Sequence, residues 1–278
     1  MSHQGGSNLH PKAAVLRMEG TNNEEETYIA LRESGFSPEY VHVKQLENGT
    51  RKIKEFSLIF IPGGFSAGDY VRAGAIFSAR LRKSSIGDFE EFSDLGKPII
   101  GACNGFQVLA EMGMLPDADG KKSVDMTVSI NESARFECRY IYLKVDANNP
   151  LMAGFQGRDI PWVAPVAHSE GRVIFSSDSL YEKMKKNGQV IFTYVDPEGK
   201  PGEYPWNPNG SRFSIAGISN RKGNVIGLMP HPERIYFPKL GIPAPGGDTF
   251  GNIFFRSLYE YTISSTEMSV SGVRSRVS

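Results

Sequence analysis

Two short stretches carry residue types able to do covalent chemistry. One is a cysteine between glycines, Gly101-Ala102-Cys103-Asn104-Gly105; the other is His231-Pro232-Glu233. The apolar run Pro98-Ile99-Ile100 leads into the cysteine, and a helix-like pattern from Phe106 to Met112 follows it. This reads as strand, sharp turn and helix, with a thiol at the turn. Flanking glycines keep the space around such a turn free of side chains, so the residue between them can be lifted out of the sheet edge. A helix starting there favours thiolate, the nucleophilic form of cysteine. The amide that follows the nucleophile, here that of Asn104, can stabilise an oxyanion. The plainer alternative is an inert core cysteine, because free cysteine is among the most buried residue types.

His231 lies between Pro230 and Pro232, after the apolar run from Val225 to Leu228. Proline on both sides restricts the backbone and aims the imidazole. In a Cys-His-Glu relay the imidazole takes the thiol proton, while the carboxylate holds the tautomer and stabilises the cation. Alone, the stretch reads equally well as a surface turn. His168-Ser169-Glu170 is a second His-x-Glu pair and a competing relay. His231 is preferred because it follows a clear strand, as ligand-binding loops in open α/β sheets do. A metal held by His168, His231 and carboxylates is a weaker reading, since the spacing is not that of a metal motif. Cys138, inside the strand-like run from Phe136 to Val145, reads as a packed residue. Asp69, Tyr70 and Arg72 form a polar cluster just after Pro62-Gly63-Gly64, either solvated or facing a partner.

The elements that must position these groups follow from apolar patterning. Lys12 to Met18 reads as the first and central strand. Thr21 to Ser34 reads as a helix, with Thr21 and Glu24 as a capping box. Strands are expected at Tyr40–Val43 and Glu55–Ile61, the latter running into Gly63-Gly64. A helix is expected from Ala73, and a separate amphipathic segment from Ser84 to Leu95. Strand and helix alternate, which argues a parallel sheet covered on both faces. After Leu115 the pattern becomes mostly strand-like, at 124–130, 136–145, 171–175, 189–195, 212–218 and 224–229, with one helix at 180–186. The fold class is therefore α/β, a central and mostly parallel sheet flanked by helices, with additional antiparallel strands in the C-terminal half. A closing helix spans about 249–262. Residues 11–262 read as a single domain, and 1–10 and 263–278 as flexible termini.

Composition sets further bounds. The chain has 278 residues, with 40% hydrophobic and 22% charged. Lys+Arg and Asp+Glu are 31 each, so nothing points to nucleic acid or an anionic membrane as a partner. No apolar run approaches the ~20 residues needed to span a bilayer. Two cysteines without a Cys-x-x-Cys spacing fit a reducing, cytoplasmic setting.

The motifs together resemble the class I (triad) glutamine amidotransferases, and among them most closely the glutaminase subunits of phosphoribosylformylglycinamidine synthases. The resemblance rests on PGGFSAGDYVRAGA (62–75), GACNGFQVL (101–109), NESARFECR (131–139), VAHSEGR (166–172), NPNGS (207–211) and IAGISNRKGNVIGLMPHPER (215–234). It departs at Ala67, where an aromatic is expected, and at Ser169, where glycine is. The chain is also long for the family, with additions at 183–187, 238–247 and the C-terminal tail.

The resemblance implies that Cys103 attacks the carboxamide of glutamine and forms a glutamyl thioester. It makes His231 general base and then acid, and Glu233 its orienting partner. It places the amides of Gly64 and Asn104 in the oxyanion hole, and Gln107 and Phe136 against the substrate. It implies no metal or organic cofactor in this subunit. ATP and magnesium belong to a large synthetase subunit, which receives the ammonia and works with a small accessory subunit. The synthetase would convert formylglycinamide ribonucleotide to formylglycinamidine ribonucleotide in purine biosynthesis. A non-catalytic subunit that keeps the fold, and a thiol hydrolase with the same cysteine turn, remain as alternatives.

Overall fold

The computed structural model describes the backbone of residues 10–274 and the side chains of residues 10–265. Of the termini expected to be flexible, 1–10 and 263–278, residues 1–9 and 275–278 lie outside the described residues. Strand β1 (Lys12–Arg17), helix α1 (Glu24–Glu33), β2 (Ser37–His42), α2 (Val43–Glu47) and β3 (Leu58–Ile61) open the chain. Then come α3 (Ala75–Asp94), β4 (Ile99–Ala102) and α4 (Asn104–Glu111). The C-terminal half carries β5 (Met126–Ile130), β6 (Glu137–Val145), β7 (Trp162–His168) and β8 (Glu170–Phe175). It continues through α5 (Asp178–Lys186), β9 (Val190–Val195), β10 (Ile215–Ser219), β11 (Val225–Leu228) and α6 (Phe250–Arg274).

Nine strands form one sheet in the order β2-β1-β3-β4-β11-β10-β9-β6-β7. The first five are mutually parallel. The other four extend the sheet with antiparallel pairings. Strands β5 and β8 pair separately. This is the expected fold class, with one correction: β1 is second from an edge, because β11 returns beside β4 and starts the antiparallel extension.

The parallel strands read Leu-Ile-Phe-Ile, Ile-Ile-Gly-Ala and Val-Ile-Gly-Leu and are buried at every position, as strands covered on both faces must be. On one face Leu16, Ile59 and Ile99 pack with Phe77, Leu81 and Phe89 of α3 and Phe106 of α4. On the other, Val15, Phe60 and Ile100 pack with Leu31 of α1 and Phe250, Phe254 and Phe255 of α6. Each fully buried phenylalanine contributes roughly 1.5–3 kcal/mol of transfer free energy. The sheet is therefore clamped from both sides at the level of its active edge.

Four local readings change. Helix α3 is continuous from Ala75 to Asp94, because Phe77, Leu81, Phe89 and Phe92 bury one stripe across Gly87, and that packing outweighs the ~1 kcal/mol propensity loss of one glycine. Asn23, not Thr21, precedes α1, and Thr21 Oγ1 instead accepts from the Met18 N–H at 3.1 Å. Strand β7 was not expected, since Pro165 interrupts its pattern; it lies at the sheet edge, where proline is tolerated. Helix α6 does not stop at Thr262 but runs to Arg274, because that stretch has no proline to end it.

Helix α4 sits so close to β3 that a Cβ on Gly105 would collide with the backbone carbonyl oxygen of Ile61, which cannot swing away. Gly105→Ala is expected to lower unfolding stability by about 3 kcal/mol, the upper end for overpacking. Urea titration should show a lower midpoint with an unchanged slope. A variant as stable as the parent would mean that this spacing is not fixed.

Candidate active site

Strands β3, β4 and β11 are parallel neighbours in register, with Ile61 opposite Gly101 and Leu228 opposite Ala102. The residues that follow them, Gly63-Gly64, Cys103 and His231, therefore meet at one sheet edge. Cys103 caps α4 with φ +50° and ψ −106°, a strained conformation for a residue with a side chain. Its N–H donates to the Leu228 carbonyl at 2.7 Å. Its Sγ lies 3.8 Å from the Ala167 carbonyl oxygen. A Cβ on Gly63 would lie 2.7 Å from His231 Cε1 and 3.3 Å from Cys103 Cβ. Glycine there leaves thiol and imidazole side by side.

His231 Nδ1 lies 2.6 Å from Glu233 Oε1, with the two side chains 1% and 0% exposed. Facing a carboxylate, Nδ1 carries the proton. Nε2 has no hydrogen-bond partner among the described residues, yet Cys103 is near enough to act on the charge of the ring. Burial pulls the imidazole pKa down; Glu233 and then Cys103 outweigh it and push it up to about 10. The loop is tied on both sides. The His231 N–H donates to Pro165 of β7 at 2.9 Å. Arg234 donates Nε and Nη2 to Asn23 Oδ1 at 3.1 and 2.8 Å.

As the first residue of α4, Asn104 has an N–H with no intrahelical acceptor. The turn at Gly64 is seated by Asn22 N–H to Gly63 O at 3.3 Å and Phe65 N–H to Gly20 O at 2.8 Å. The Gly64 N–H takes part in neither bond. Gln107 is buried; it accepts from Asn104 Nδ2 at 2.9 Å and donates to the Glu170 carbonyl at 2.6 Å. Phe136 stands half-exposed at the rim, stacked on Phe65 with ring centroids 6.4 Å apart. Cys138 is exposed on β6, not packed as expected, because it falls on the outward phase of the strand.

The competing pair does not form a relay. His168 Nδ1 meets Asn131 Oδ1 at 3.1 Å, while Glu170 Oε2 accepts from the Ala73 N–H at 3.2 Å. Burial first, and then His231, hold His168 down at about 3 and so neutral. Among the described residues, no group of three or more His, Cys, Asp or Glu comes together to hold a metal, and no helix is long and apolar enough to cross a membrane. A cleft of about 710 Å³ opens at the loops carrying Glu132, Arg135, Tyr204 and Asn207; none of the expected catalytic residues lines it.

Two site residues escaped the reading of the sequence. Asn23 was hidden inside the expected capping box, and Asn131 stood in a quoted motif without a role. Asn131 Nδ2 donates to the Arg135 and His168 carbonyls at 2.9 and 2.8 Å, and its Oδ1 accepts from the Gly171 N–H at 2.9 Å. Only side chains that bridge distant segments reveal such positions.

A strained cysteine elbow beside a buried His-Glu pair, at the carboxyl edge of a parallel sheet, defines a class of thiol-dependent enzymes. The model of the CobB/CobQ-like glutamine amidotransferase domain matches residues 10–257, and the chain belongs to this glutamine amidotransferase family. It is 50% identical over 253 residues to phosphoribosylformylglycinamidine synthase subunit PurQ of Picrophilus torridus, covering 90% of this chain and 98% of that one. It is 46% identical over 264 residues to the subunit of the same name in Archaeoglobus fulgidus, covering 90% and 96%. Among solved structures, PurLQS from Thermotoga maritima aligns with TM-score 0.69 and 32% identity, over 91% of this chain and 99% of that chain.

The state of His168 has a consequence for stability. Its folded pKa, about 3, lies below the unfolded value of about 6.5. The unfolded chain therefore gains a proton first, and stability is lost as pH falls from about 6.5 through 3. Between pH 7 and pH 5 this group should remove about 2 kcal/mol. His168→Gln is expected to flatten the difference between urea midpoints measured at those two pH values. Equal pH dependence in parent and variant would contradict the burial of a neutral imidazole.

Proposed function

We propose that the chain is the glutaminase subunit of phosphoribosylformylglycinamidine synthase and hydrolyses glutamine through Cys103, His231 and Glu233. The observation that carries the mechanism is the buried His231–Glu233 pair beside the strained thiol. Cys103 gives its proton to His231 Nε2, whose raised pKa favours holding it, and Sγ attacks the carboxamide carbon. The Gly64 and Asn104 N–H groups receive the oxyanion. As the tetrahedral adduct collapses, His231 returns the proton to the leaving nitrogen, and ammonia departs. A glutamyl thioester remains on Cys103. His231 then takes a proton from water, hydroxide adds to the thioester, and glutamate leaves as the thiol is restored. Glu233 keeps Nδ1 protonated, so that Nε2 is the nitrogen that exchanges protons.

Glutamine is the substrate. The ammonia goes to a large, ATP- and magnesium-dependent synthetase subunit assembled with a small accessory subunit, in the cytoplasm. This chain itself needs no cofactor for the hydrolytic half. The names of its relatives support this assignment, as do the Asn104, Gln107 and Gly64 positions around the thiol. Residues 11–262 act as one glutaminase domain, with Phe136 at its substrate rim.

Glutamate release should depend on Cys103 and rise when the synthetase is added. Cys103→Ala is expected to reduce release to background, a loss of at least about 10³-fold, and Glu233→Gln to reduce kcat by roughly 10²–10⁴-fold. A chloroketone analogue of glutamine should label Cys103 alone, whereas a small general alkylating reagent should also reach the exposed Cys138. Absence of release from the complete complex would favour the non-catalytic subunit. Fast release without selectivity for glutamine would favour a thiol hydrolase.

A further inference from the structure

An antiparallel sheet with one face to water alternates apolar and polar residues along its strands. Strands β6 and β7 depart from that rule. Their inward residues, among them Ile141, Leu143, Trp162 and Val166, pack with Phe250 and Phe254 of α6 in one apolar layer. On the other face the register sets Cys138 opposite Ala167, Tyr140 opposite Pro165 and Tyr142 opposite Val163, and opposed residues of an antiparallel pair share a face. None of these side chains carries a charge. Cys138 is exposed, Tyr140 is 49% exposed and the others are half-buried. Among the described residues, none of them belongs to either apolar layer of the core.

The apolar surface continues beyond the two strands. The segment 237–242 leads away from the His231 loop and leaves Leu240 and Ile242 more than half exposed. Its Leu240 carbonyl accepts from the Tyr140 hydroxyl at 3.4 Å. At the other end Phe136, two residues before Cys138, stacks on Phe65 at the rim of the site. Scattered exposed apolar residues are ordinary, but a contiguous patch rich in aromatics marks a protein–protein contact. This one borders the chemistry. The Pro165 carbonyl accepts from the His231 N–H at 2.9 Å, and the Ala167 carbonyl lies 3.8 Å from Cys103 Sγ.

Two features decide what covers the face. Pro165, at the centre of edge strand β7, has no N–H, and its carbonyl is already engaged. The edge therefore does not extend into a strand of a second copy, and docking falls to the face. Ammonia freed at Cys103 becomes ammonium in neutral water and ceases to be a nucleophile, so the enzyme that consumes it must exclude water from the surface bordering the thiol. We infer that the synthetase docks on the outward face of β6 and β7 and on the 237–242 segment beside it. This rests on the glutaminase-subunit reading above and adds the surface by which the chain joins its partner. Tyr140 stands between Pro165 and Leu240, and an aromatic at the centre of an interface is where binding energy concentrates.

Cys138 lies within the surface and serves as its reporter. In Cys103→Ser it is the chain's sole thiol. Its alkylation by N-ethylmaleimide is followed by mass spectrometry of its peptide, in the free chain and in the complex with synthetase and accessory subunit. The complex should slow the reaction by at least about tenfold, as for a side chain shielded from water by an interface. Tyr140→Glu and Ile242→Glu should each raise the Kd for the synthetase by about 10- to 100-fold. Leu95→Glu, exposed at the opposite end of the parallel strands, should leave it unchanged. The alkylation rate is read on an unaltered face, so it decides the matter even if a charged variant fails to fold. If the complex forms and Cys138 reacts as fast as in the free chain, the synthetase docks elsewhere and the inference fails. If the accessory subunit alone protects Cys138, or the free chain sediments as a dimer that Tyr140→Glu splits, another occupant holds the face and it fails again. If chain and synthetase do not associate at all, the subunit reading fails with it.

Discussion

The site depends above all on close approach of backbone. Strand β3, the elbow after β4 and the loop after β11 converge where no Cβ fits at Gly63 or Gly105. Only this lets a thiol on a positive-φ backbone lie beside an imidazole that belongs to a different strand. The strain at Cys103, of order 1–3 kcal/mol, persists because the surrounding structure leaves it no other conformation. Its N–H is in the sheet with Leu228, and α4 begins at the next residue. Two apolar layers, one on each face, hold those strands in register. Packing energy spread over the core thus maintains strain concentrated at one residue.

Charge adds a second constraint of the opposite kind. Removing His231 and Glu233 from water is costly, and their attraction offsets it only when the geometry is close. At 2.6 Å it is close. Glu233 Oε2, His231 Nε2 and His168 Nε2 nonetheless remain buried and unmet. Each such group costs about 1–3 kcal/mol relative to a satisfied one. Unmet groups gathered at one edge of the sheet are expected where a ligand completes the hydrogen bonding, and an ordinary core avoids them. A fold optimised for stability alone would fill these positions with apolar side chains.

The legible part of this molecule is the part whose signal is local. The Cys103 elbow could be read because strand, glycines and helix follow one another directly, and His231 because Leu228 ends a strand three residues before it. The alternation of strands and helices likewise predicts the parallel half. What escaped depends on partners far apart in sequence. Asn23 matters through Arg234, and Asn131 through His168 and Gly171; no spacing rule joins these positions. Strand β7 escaped because its edge position, which excuses Pro165, is a fact of topology. The segments read separately, from Ala73 and over Ser84–Leu95, are one helix because the buried aromatic stripe runs on past Ser84, Ser85 and Gly87. Cys138 was misjudged because strand phase, not residue type, decides which face it occupies.

Topology also explains why the histidine is held so firmly. Strand β11 is the seam of the sheet, parallel to β4 on one side and antiparallel to β10 on the other. The loop that leaves it is gripped from both halves. Pro165 of the antiparallel extension takes the His231 N–H, and Asn23, beside the parallel half, takes the Arg234 guanidinium. Glu233 then fixes the ring from within the loop. Three supports of different chemistry, a backbone bond, a bidentate side-chain bond and an ion pair, converge on one imidazole. Its position is therefore a property of the whole assembled sheet. Cys103 is held by the same seam through Leu228, so thiol and imidazole share one frame.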